Sequence, residues 1–157
     1  MAASLNIEIP GLGRLLDDLK AAGPYGAKQL KSALNRGAIR LQRAERIEAP
    51  RDTSNLAANI NIIELGEFEV MISPKANYAE AIHKGRLPGS APPVSALEGW
   101  ARRKGINPYA VQKSIQRKGT KPNPFVARAL DNERQGINDE FDIAADRVAD
   151  YISKGGG

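Results

Sequence analysis

The sequence predicts an α+β fold: a small antiparallel sheet packed against a long helix in the N-terminal half and a long C-terminal helix, with two short inserted helices. Three observations support it. Two long segments repeat apolar residues at helical spacing, two neighbouring segments alternate apolar and polar residues, and two short segments have helix-bounding residues. The chain has 157 residues, of which 41% are hydrophobic and 26% charged, enough for one folded domain with one core.

The first part of the chain is predicted to hold one strand and two helices. Residues 5–9 alternate apolar and polar side chains, which indicates a half-buried strand. Leucines at helical spacing over 12–22 predict a short helix that the Gly-Pro pair at 23–24 ends. The proline-free stretch 25–48 keeps one apolar stripe and predicts a long helix, loosened at Gly37.

A polar turn and a hairpin come next. Residues 51–55 are all polar, and the short oxygen-bearing side chains among them can bond local backbone groups, which favours a rigid corner. Residues 59–65 and 67–73 alternate apolar and polar side chains, which predicts two antiparallel strands with Phe68 in the second strand. Their connection is expected near Gly66.

Two short helices with defined ends are predicted in the middle of the chain. Ser95 and Glu98 have the spacing of a capping box, and Gly105 closes the helix that they open. Asn107 as N-cap, followed by proline, and a glycine at 119 bound the second helix over 108–118.

The remaining elements are one ambiguous segment and one long helix. Residues 78–84 fit a third strand or a short helix. The C-terminal helix tolerates Gly136 at about 1 kcal/mol, and residues 155–157 form a flexible glycine tail. The apolar residues of the C-terminal helix recur at intervals of three, four and seven positions: Val126, Leu130, Ile137, Phe141, Ala144, Val148 and Ile152.

Composition excludes several classes of protein. The chain has no cysteine, so it has no disulfide, thiolate metal site or cysteine nucleophile, and a reducing compartment fits. No apolar run approaches the ~20 residues that span a bilayer, and the start lacks the features of a signal peptide, so neither export nor membrane embedding is expected. Without repeats or long linkers, residues 1–154 are expected to form a single domain.

Charge is partitioned along the chain. Residues 84–121 carry nine Lys and Arg and one Glu, a net charge of +8, whereas residues 131–150 carry −5. The asymmetry indicates contact with nucleic acid or with a protein of opposite charge, and two solvated faces are the simpler alternative. The candidate interface residues are basic (Arg102, Arg103, Lys104, Lys113, Arg117, Lys118) and acidic (Asp139, Asp142, Asp146, Asp150).

No catalytic residue, cofactor or metal site is predicted. His83 is the only histidine, and no motif of a nucleotide-binding loop, hydrolase or metalloprotease is present, so His83 is interpreted as a surface or edge residue. Asp142, Asp146 and Asp150 lie at i, i+4 and i+8, a spacing compatible with a divalent cation. A solvated acidic face is the simpler interpretation, because aspartates four positions apart repel each other by only a few tenths of a kcal/mol per pair.

Aromatic and basic residues interleave in the middle segment. Trp100 is followed by Arg102 and Arg103, and Tyr109 precedes Lys113, as on surfaces that bind single-stranded nucleic acid. Aromatic residues on short capped helices more often anchor them to the core. Because of the interleaved aromatic and basic residues, a monomeric cytoplasmic nucleic-acid-binding module is the alternative function.

Three segments carry a family resemblance: residues 49–56 (APRDTSNL), residues 78–85 and residues 119–125 (GTKPNPF). By their order and spacing, and by its strand-to-helix start, the chain resembles the neck or tail-completion proteins of long-tailed bacteriophages, also called head-tail joining or minor tail proteins. The family's residues matched here are Pro50, Asp52, Thr53, Leu56, Tyr78, Gly85, Gly119, Thr120, Pro124 and Phe125. Ser54, His83 and Arg86 depart from it, standing where relatives have Gly, an acidic residue and Thr.

The resemblance implies a structural virion protein without enzymatic activity. It implies a homo-oligomeric, hexameric ring at the head-tail junction, needed for assembly of infectious particles and for DNA passage. The expected partners are further copies, the tail tube or tail terminator, the head connector and, non-specifically, phage DNA, with no membrane. The expected location is the virion neck or tail, and the host cytoplasm during assembly. Residues 92–121 resemble a basic helical insertion found in a subset of the family.

A ring requires two different complementary patches on each subunit. The basic segment and the acidic final helix are the candidates, with the basic segment of one subunit facing the acidic helix of its neighbour. Sheet edges are expected to be completed across the same junction.

Overall fold

The computed structural model describes residue 17 and residues 21–50, 55–75 and 78–155, and it confirms the α+β class. The elements are helices α1 (Gly23–Glu48), α2 (Asn55–Ala58), α3 (Ala79–Lys84), α4 (Val94–Lys104), α5 (Pro108–Lys118) and α6 (Phe125–Ser153), and strands β1 (Ile60–Gly66) and β2 (Glu69–Pro74) of one two-stranded sheet. The strand predicted at 5–9, most of the helix at 12–22 and most of the corner at 51–55 lie outside the described residues. The chain divides into two compact units.

The first unit comprises residues 1–42, 62–72 and 132–157. In it α1 and α6 pack antiparallel: the rings of Tyr25 and Tyr151 stack with centroids 4.2 Å apart. A Cβ at Gly37 would lie 3.4 Å from Ile137 Cγ2 and 3.9 Å from Phe141 Cε2. The predicted loosening at Gly37 is wrong, since α1 is continuous there. The missing side chain lets the two helices approach, and their packing outweighs the low helix propensity of glycine.

Ion pairs also join α1 to α6 in the first unit. Arg36 Nε and Arg40 Nε donate hydrogen bonds to the two carboxylate oxygens of Glu140, and Arg40 Nη1 lies 3.3 Å from Glu133 Oε2. Gly136 makes room for this group, because a Cβ there would lie 2.9 Å from Arg40 Nη1. The glycine that weakens α6 thus admits an arginine from α1.

The sheet is the predicted hairpin with a displaced turn. Glu67 and Phe68 form the turn, and a Cβ on Gly66 would lie 3.8 Å from the Cβ of Glu69. The prediction that Phe68 belongs to the second strand is therefore wrong, and the connection lies just after Gly66. Phe68 continues the alternating pattern of β2, so alternation alone did not locate the turn.

The second unit comprises residues 43–61 and 73–131, and its core is formed by apolar side chains from several elements. Leu56, Ile60 and Phe125 are almost fully buried. Arg46 Nη2 donates a hydrogen bond of 2.9 Å to the carbonyl oxygen of Ile60. The one-turn helix α2 was not predicted, because a single turn leaves no periodic pattern.

The ambiguous segment at 78–84 is helical, as α3. It leads into an isolated antiparallel bridge, where Arg86 N donates to Thr120 O at 3.1 Å and Thr120 N to Arg86 O at 2.9 Å. Gly85 (φ +71°) and Gly119 (φ +70°) flank the bridge, and a Cβ on Gly119 would lie 2.1 Å from Arg86 O. Only glycine fits this close approach. The bridge brings together the two ends of the loop that carries α4 and α5.

Helices α4 and α5 largely follow the predictions. Gly105 ends α4 in the left-handed conformation, and the Asn107 side chain accepts a hydrogen bond of 2.9 Å from the backbone N–H of Tyr109. The capping box is wrong: α4 begins at Val94, its N-cap is Pro93, and Ser95 lies inside the helix. The box requires serine at the N-cap, and the helix starts too early for that.

Helix α6 follows the predicted apolar stripe. Its buried residues include Leu130, Ile137, Phe141, Ala144 and Val148, whereas Ile152 is 37% exposed near the end. Gly155 N still donates a hydrogen bond to Ile152 O, and residues 156–157 lie outside the described residues. Within the described part of the chain, none of the helices combines the length and hydropathy that a membrane span requires.

Candidate assembly surfaces

The six basic interface candidates lie on α4 and α5, which pack against each other. Those on α4 occupy its last turn, and Arg117 and Lys118 the last turn of α5, where the helix dipole favours positive charge. All six are exposed, and together they form the basic surface: Arg102, Arg103, Lys104, Lys113, Arg117 and Lys118.

Contacts within the loop hold the basic surface in place. Gly89 N donates a hydrogen bond of 2.7 Å to Gln116 O, and Gln112 Nε2 donates one of 3.1 Å to Pro92 O. Ala101 is completely buried on α4. With the bridge at Arg86 and Thr120, these contacts give the cations a defined scaffold.

The four acidic candidates, called the acidic face, are exposed on α6: Asp139, Asp142, Asp146 and Asp150. Asp139 accepts a hydrogen bond of 2.8 Å from Gln135, and Asp150 accepts one of 3.1 Å from Lys154. No three His, Cys, Asp or Glu side chains in the described ranges are placed to hold one metal ion. The arrangement is that of a solvated acidic surface.

The acidic side chains of residues 131–150 thus lie in two different environments. Glu133 and Glu140 form ion pairs with arginines of α1 inside the first unit, and hydrogen bonds from Arg36 and Arg40 lower the pKa of Glu140. Sequence reasoning missed these pairs, because their partners lie about a hundred positions away along the chain. The aspartates of the acidic face are instead exposed to solvent.

His83 lies partly buried in the second unit. Its ring meets the buried Phe125 edge-on, with centroids 5.8 Å apart, and its Nδ1 is buried with no hydrogen-bond partner in the described structure. It stands directly after Ile82, whose carbonyl oxygen accepts a hydrogen bond from Asn123 N. The interpretation as a surface or edge residue is incomplete, since the ring packs on the first residue of α6.

The described residues among those on which the sequence resemblance rests have local structural roles. Tyr78 accepts a hydrogen bond of 3.1 Å from Asn55 Nδ2, and Leu56 and Phe125 are core residues. Thr120 forms the bridge with Arg86, and Gly85 and Gly119 flank it. Pro50 stands two positions after the end of α1, Pro124 directly precedes α6, and Asp52 and Thr53 lie outside the described residues.

The two aromatic residues of the middle segment differ in burial. Trp100 is half-buried, whereas Tyr109 is 68% exposed at the start of α5. The anchoring role is therefore wrong for Tyr109. Its position is explained by Asn107, which caps the helix through the Tyr109 backbone and leaves the ring outside.

Sequence reasoning also missed the end of the hairpin. Residues 64–69, called the hairpin tip, are all exposed and include three glutamates without a basic residue. Leu65 is 52% and Phe68 45% exposed. The sequence alternates Glu and apolar residues here, and this pattern by itself predicts only strands.

Comparison of the chain with models of protein families, with curated proteins and with solved structures gives no significant match.

Proposed function

We propose that this protein is a structural component of the neck of a long-tailed bacteriophage. Copies assemble into a hexameric ring at the head-tail junction, as a tail-completion or head-tail joining protein, and contact the head connector and the tail tube or tail terminator. The role is structural, with no catalysed reaction. The sequence resemblance supports the place in the particle, and the observation that supports assembly is the pair of exposed surfaces of opposite charge.

The ring contact proposed here joins the basic surface of one copy to the acidic face of the next. Such an interface is heterologous, so it closes a ring when the rotation between neighbours is a simple fraction of a turn. The two-stranded sheet supports the same contact, because within the described residues each strand has only one strand neighbour. The outer edges offer backbone groups that another copy can pair.

DNA passes through a ring in this position, and the basic surface is open to phosphates. A channel wall that binds DNA tightly would slow that passage. Most of the cations are therefore assigned to protein contacts, with non-specific contact to phage DNA as a secondary role.

The particle itself tests this function. The chain is expected in purified virions at the neck, and phage lacking its gene should produce separate heads and tails instead of infectious particles. Mass spectrometry of virions and electron microscopy of the mutant lysate are the measurements. Virions without the chain, or normal progeny in its absence, would refute the proposal.

A charge reversal tests the ring contact. The triple variant Arg102→Glu, Arg103→Glu and Lys104→Glu should weaken assembly, because it reverses half of the positive charge of the basic surface. Oligomers are counted by native mass spectrometry. The control variant Lys28→Glu, Lys31→Glu and Lys75→Glu changes the net charge equally at exposed positions and should assemble normally. Equal assembly of both variants would reject the basic surface as a ring contact.

One observation favours the second candidate function, a monomeric nucleic-acid-binding module. Tyr109 exposes its ring on the helix that bears Lys113 and Arg117, an arrangement suited to base stacking beside phosphate contacts. Light scattering during size-exclusion chromatography and a DNA shift assay at two salt concentrations separate the two functions. A monomer whose DNA binding falls steeply with salt indicates the module. A ring, or a monomer that assembles only on tail tubes, indicates the neck protein.

A further inference from the structure

The hairpin tip is an exposed surface with a defined chemical character. Its six residues carry three carboxylates, Glu64, Glu67 and Glu69, and β1, β2 and their turn contain no Lys or Arg. Leu65 and Phe68 expose about half of their surface beside these charges. No described segment of the chain covers them.

The turn places an aromatic side chain where a hairpin does not require one. Two-residue turns favour Asn-Gly or similar pairs, but here the pair is Glu67-Phe68. Turn chemistry therefore does not account for the phenylalanine at this position. Aromatic side chains that become buried on association are frequent anchors of protein interfaces.

The segment that joins α4 to α5 has the opposite character. Residues 102–109, called the α4–α5 connection, carry Arg102, Arg103 and Lys104, contain no acidic residue and are exposed except for the half-buried Pro108. Ile106 is 45% and Tyr109 68% exposed. Gly105 and the Asn107 cap fix the backbone of the connection, so binding costs little conformational entropy there.

The two surfaces match in charge and in apolar content. The tip carries −3 and the connection +3, and each exposes two large apolar side chains among its charges. We infer that the hairpin tip of one copy docks on the α4–α5 connection of a neighbouring copy, with Phe68 against Ile106 and Tyr109. The carboxylates of the tip then meet the arginines and the lysine.

This inference rests on the proposed function, because it needs copies assembled side by side. It divides the basic surface between two partners: the connection takes the tip, and the cations of α5, Lys113, Arg117 and Lys118, are left for the acidic face. So few residues bury less than the roughly 1,200 Å² of a stable pairwise interface. The contact therefore adds specificity to a ring that is also held elsewhere.

Site-specific crosslinking tests the contact in the full-length chain. Phe68 is replaced by the photoreactive p-benzoyl-phenylalanine, ¹⁴N- and ¹⁵N-labelled chains are mixed at high concentration, and crosslinked peptides are identified by mass spectrometry. Mixed-isotope crosslinks from position 68 to residues 102–109 are expected. The same photoreactive residue at Ile39, exposed on α1, is the control and should not give them.

Charge swapping makes the test specific. In the photoreactive chain, Glu64→Lys, Glu67→Lys and Glu69→Lys should lower the crosslink yield about tenfold. Adding Arg102→Glu, Arg103→Glu and Lys104→Glu to the same chain should restore it. A yield no higher than that of the Ile39 control, crosslinks that map outside 102–109, or no recovery in the swapped chain would overturn the inference.

The two proposals fail separately. If virions contain the chain at the neck but position 68 does not crosslink to the connection, the docking contact is wrong and the proposed function stands. If the crosslinks form but virions lack the chain, the copies associate as inferred and the neck function is wrong.

Discussion

Glu45 is a charged residue in an apolar place. It is 2% exposed on α1, and its Oε2 is buried without a hydrogen-bond partner in the described structure. Burial raises the pKa of Glu45 from its ordinary value of 4.5 to about 7. The folded protein therefore keeps a proton between these two pH values that the unfolded chain releases.

Stability should fall with rising pH because of Glu45. The proton held by the folded state stabilises it fully below pH 4.5, and that stabilisation is lost as pH rises to about 7. The loss from this group is about 3 kcal/mol. Urea unfolding should show Glu45→Gln and the wild type to be similarly stable at pH 5, and the variant to be more stable at pH 8. Glu67→Gln in the hairpin tip is the exposed control, and a Glu45→Gln effect independent of pH would contradict the prediction.

Single residues show what the sequence can and cannot predict. Asn107 and Gly105 were predicted as helix ends, because capping uses bonds within a few positions of the chain. The burial of Glu45 was not predicted, because helical spacing places it beside the apolar stripe of α1 but does not show how completely the packed core covers it. The same applies to Gly85 and Gly119, whose close approach joins segments more than thirty positions apart.

The packing of α1 on α6 depends on Glu140. Its carboxylate is mostly shielded from solvent and accepts hydrogen bonds from Arg36 and Arg40. Both bonds favour the ionised form and lower its pKa. The ion pairs therefore stabilise the folded state at neutral pH, and this contribution is lost as pH falls through the lowered pKa.

Glu140→Gln should lower the melting temperature by a few degrees at pH 7, because two guanidinium groups lose their charged partner. The difference from the wild type should shrink in acid. Thermal unfolding followed by circular dichroism at pH 7 and pH 3 measures both effects. Glu133→Gln, which removes a single longer contact to Arg40, should have a smaller effect. An equal or larger effect of Glu133→Gln would show that the pairs at Glu140 do not hold the helices.

The sequence predicted an element more accurately when the element was long or when characteristic residues marked its ends. The apolar stripes of α1 and α6 span many turns, so the sequence correctly predicted that both segments are helices. The hairpin turn was displaced because Phe68 fits the alternating pattern of the strand. The start of α4 was displaced because Pro93 occupies the N-cap in place of a serine.

At the scale of the whole molecule, the loop between Arg86 and Thr120 behaves as a closed addition to the second unit. Its two ends are joined by a pair of backbone hydrogen bonds, and α4 and α5 pack on each other. A loop closed at its base can change length at little entropic cost to the rest of the fold.

Replacing residues 87–118 by a short glycine-containing turn should therefore leave a folded protein. Far-ultraviolet circular dichroism should show only the loss of the two short helices, and urea unfolding should stay cooperative. Assembly should be lost with the basic surface. Loss of cooperative unfolding would show instead that the loop is part of the core, and unchanged assembly would remove the loop from the ring contact.

The charge surfaces illustrate the limit of prediction at this scale. Opposite net charges were visible in the sequence, because sign and position along the chain suffice to find them. Which of the acidic residues face inward was not visible, since Glu133 and Glu140 are distinguished from the aspartates only by their arginine partners on α1.

The location of Trp100 gives the molecule a built-in optical readout. It is the only tryptophan of the chain and lies on α4, in the second unit. The stacked pair Tyr25 and Tyr151 lies in the first unit and contributes its own near-ultraviolet dichroism. Indole emission therefore follows the second unit, whereas near-ultraviolet dichroism combines the stacked pair of the first unit with Tyr78 and Tyr109 of the second. A gap between the two unfolding curves would reveal a partly melted species without any dye.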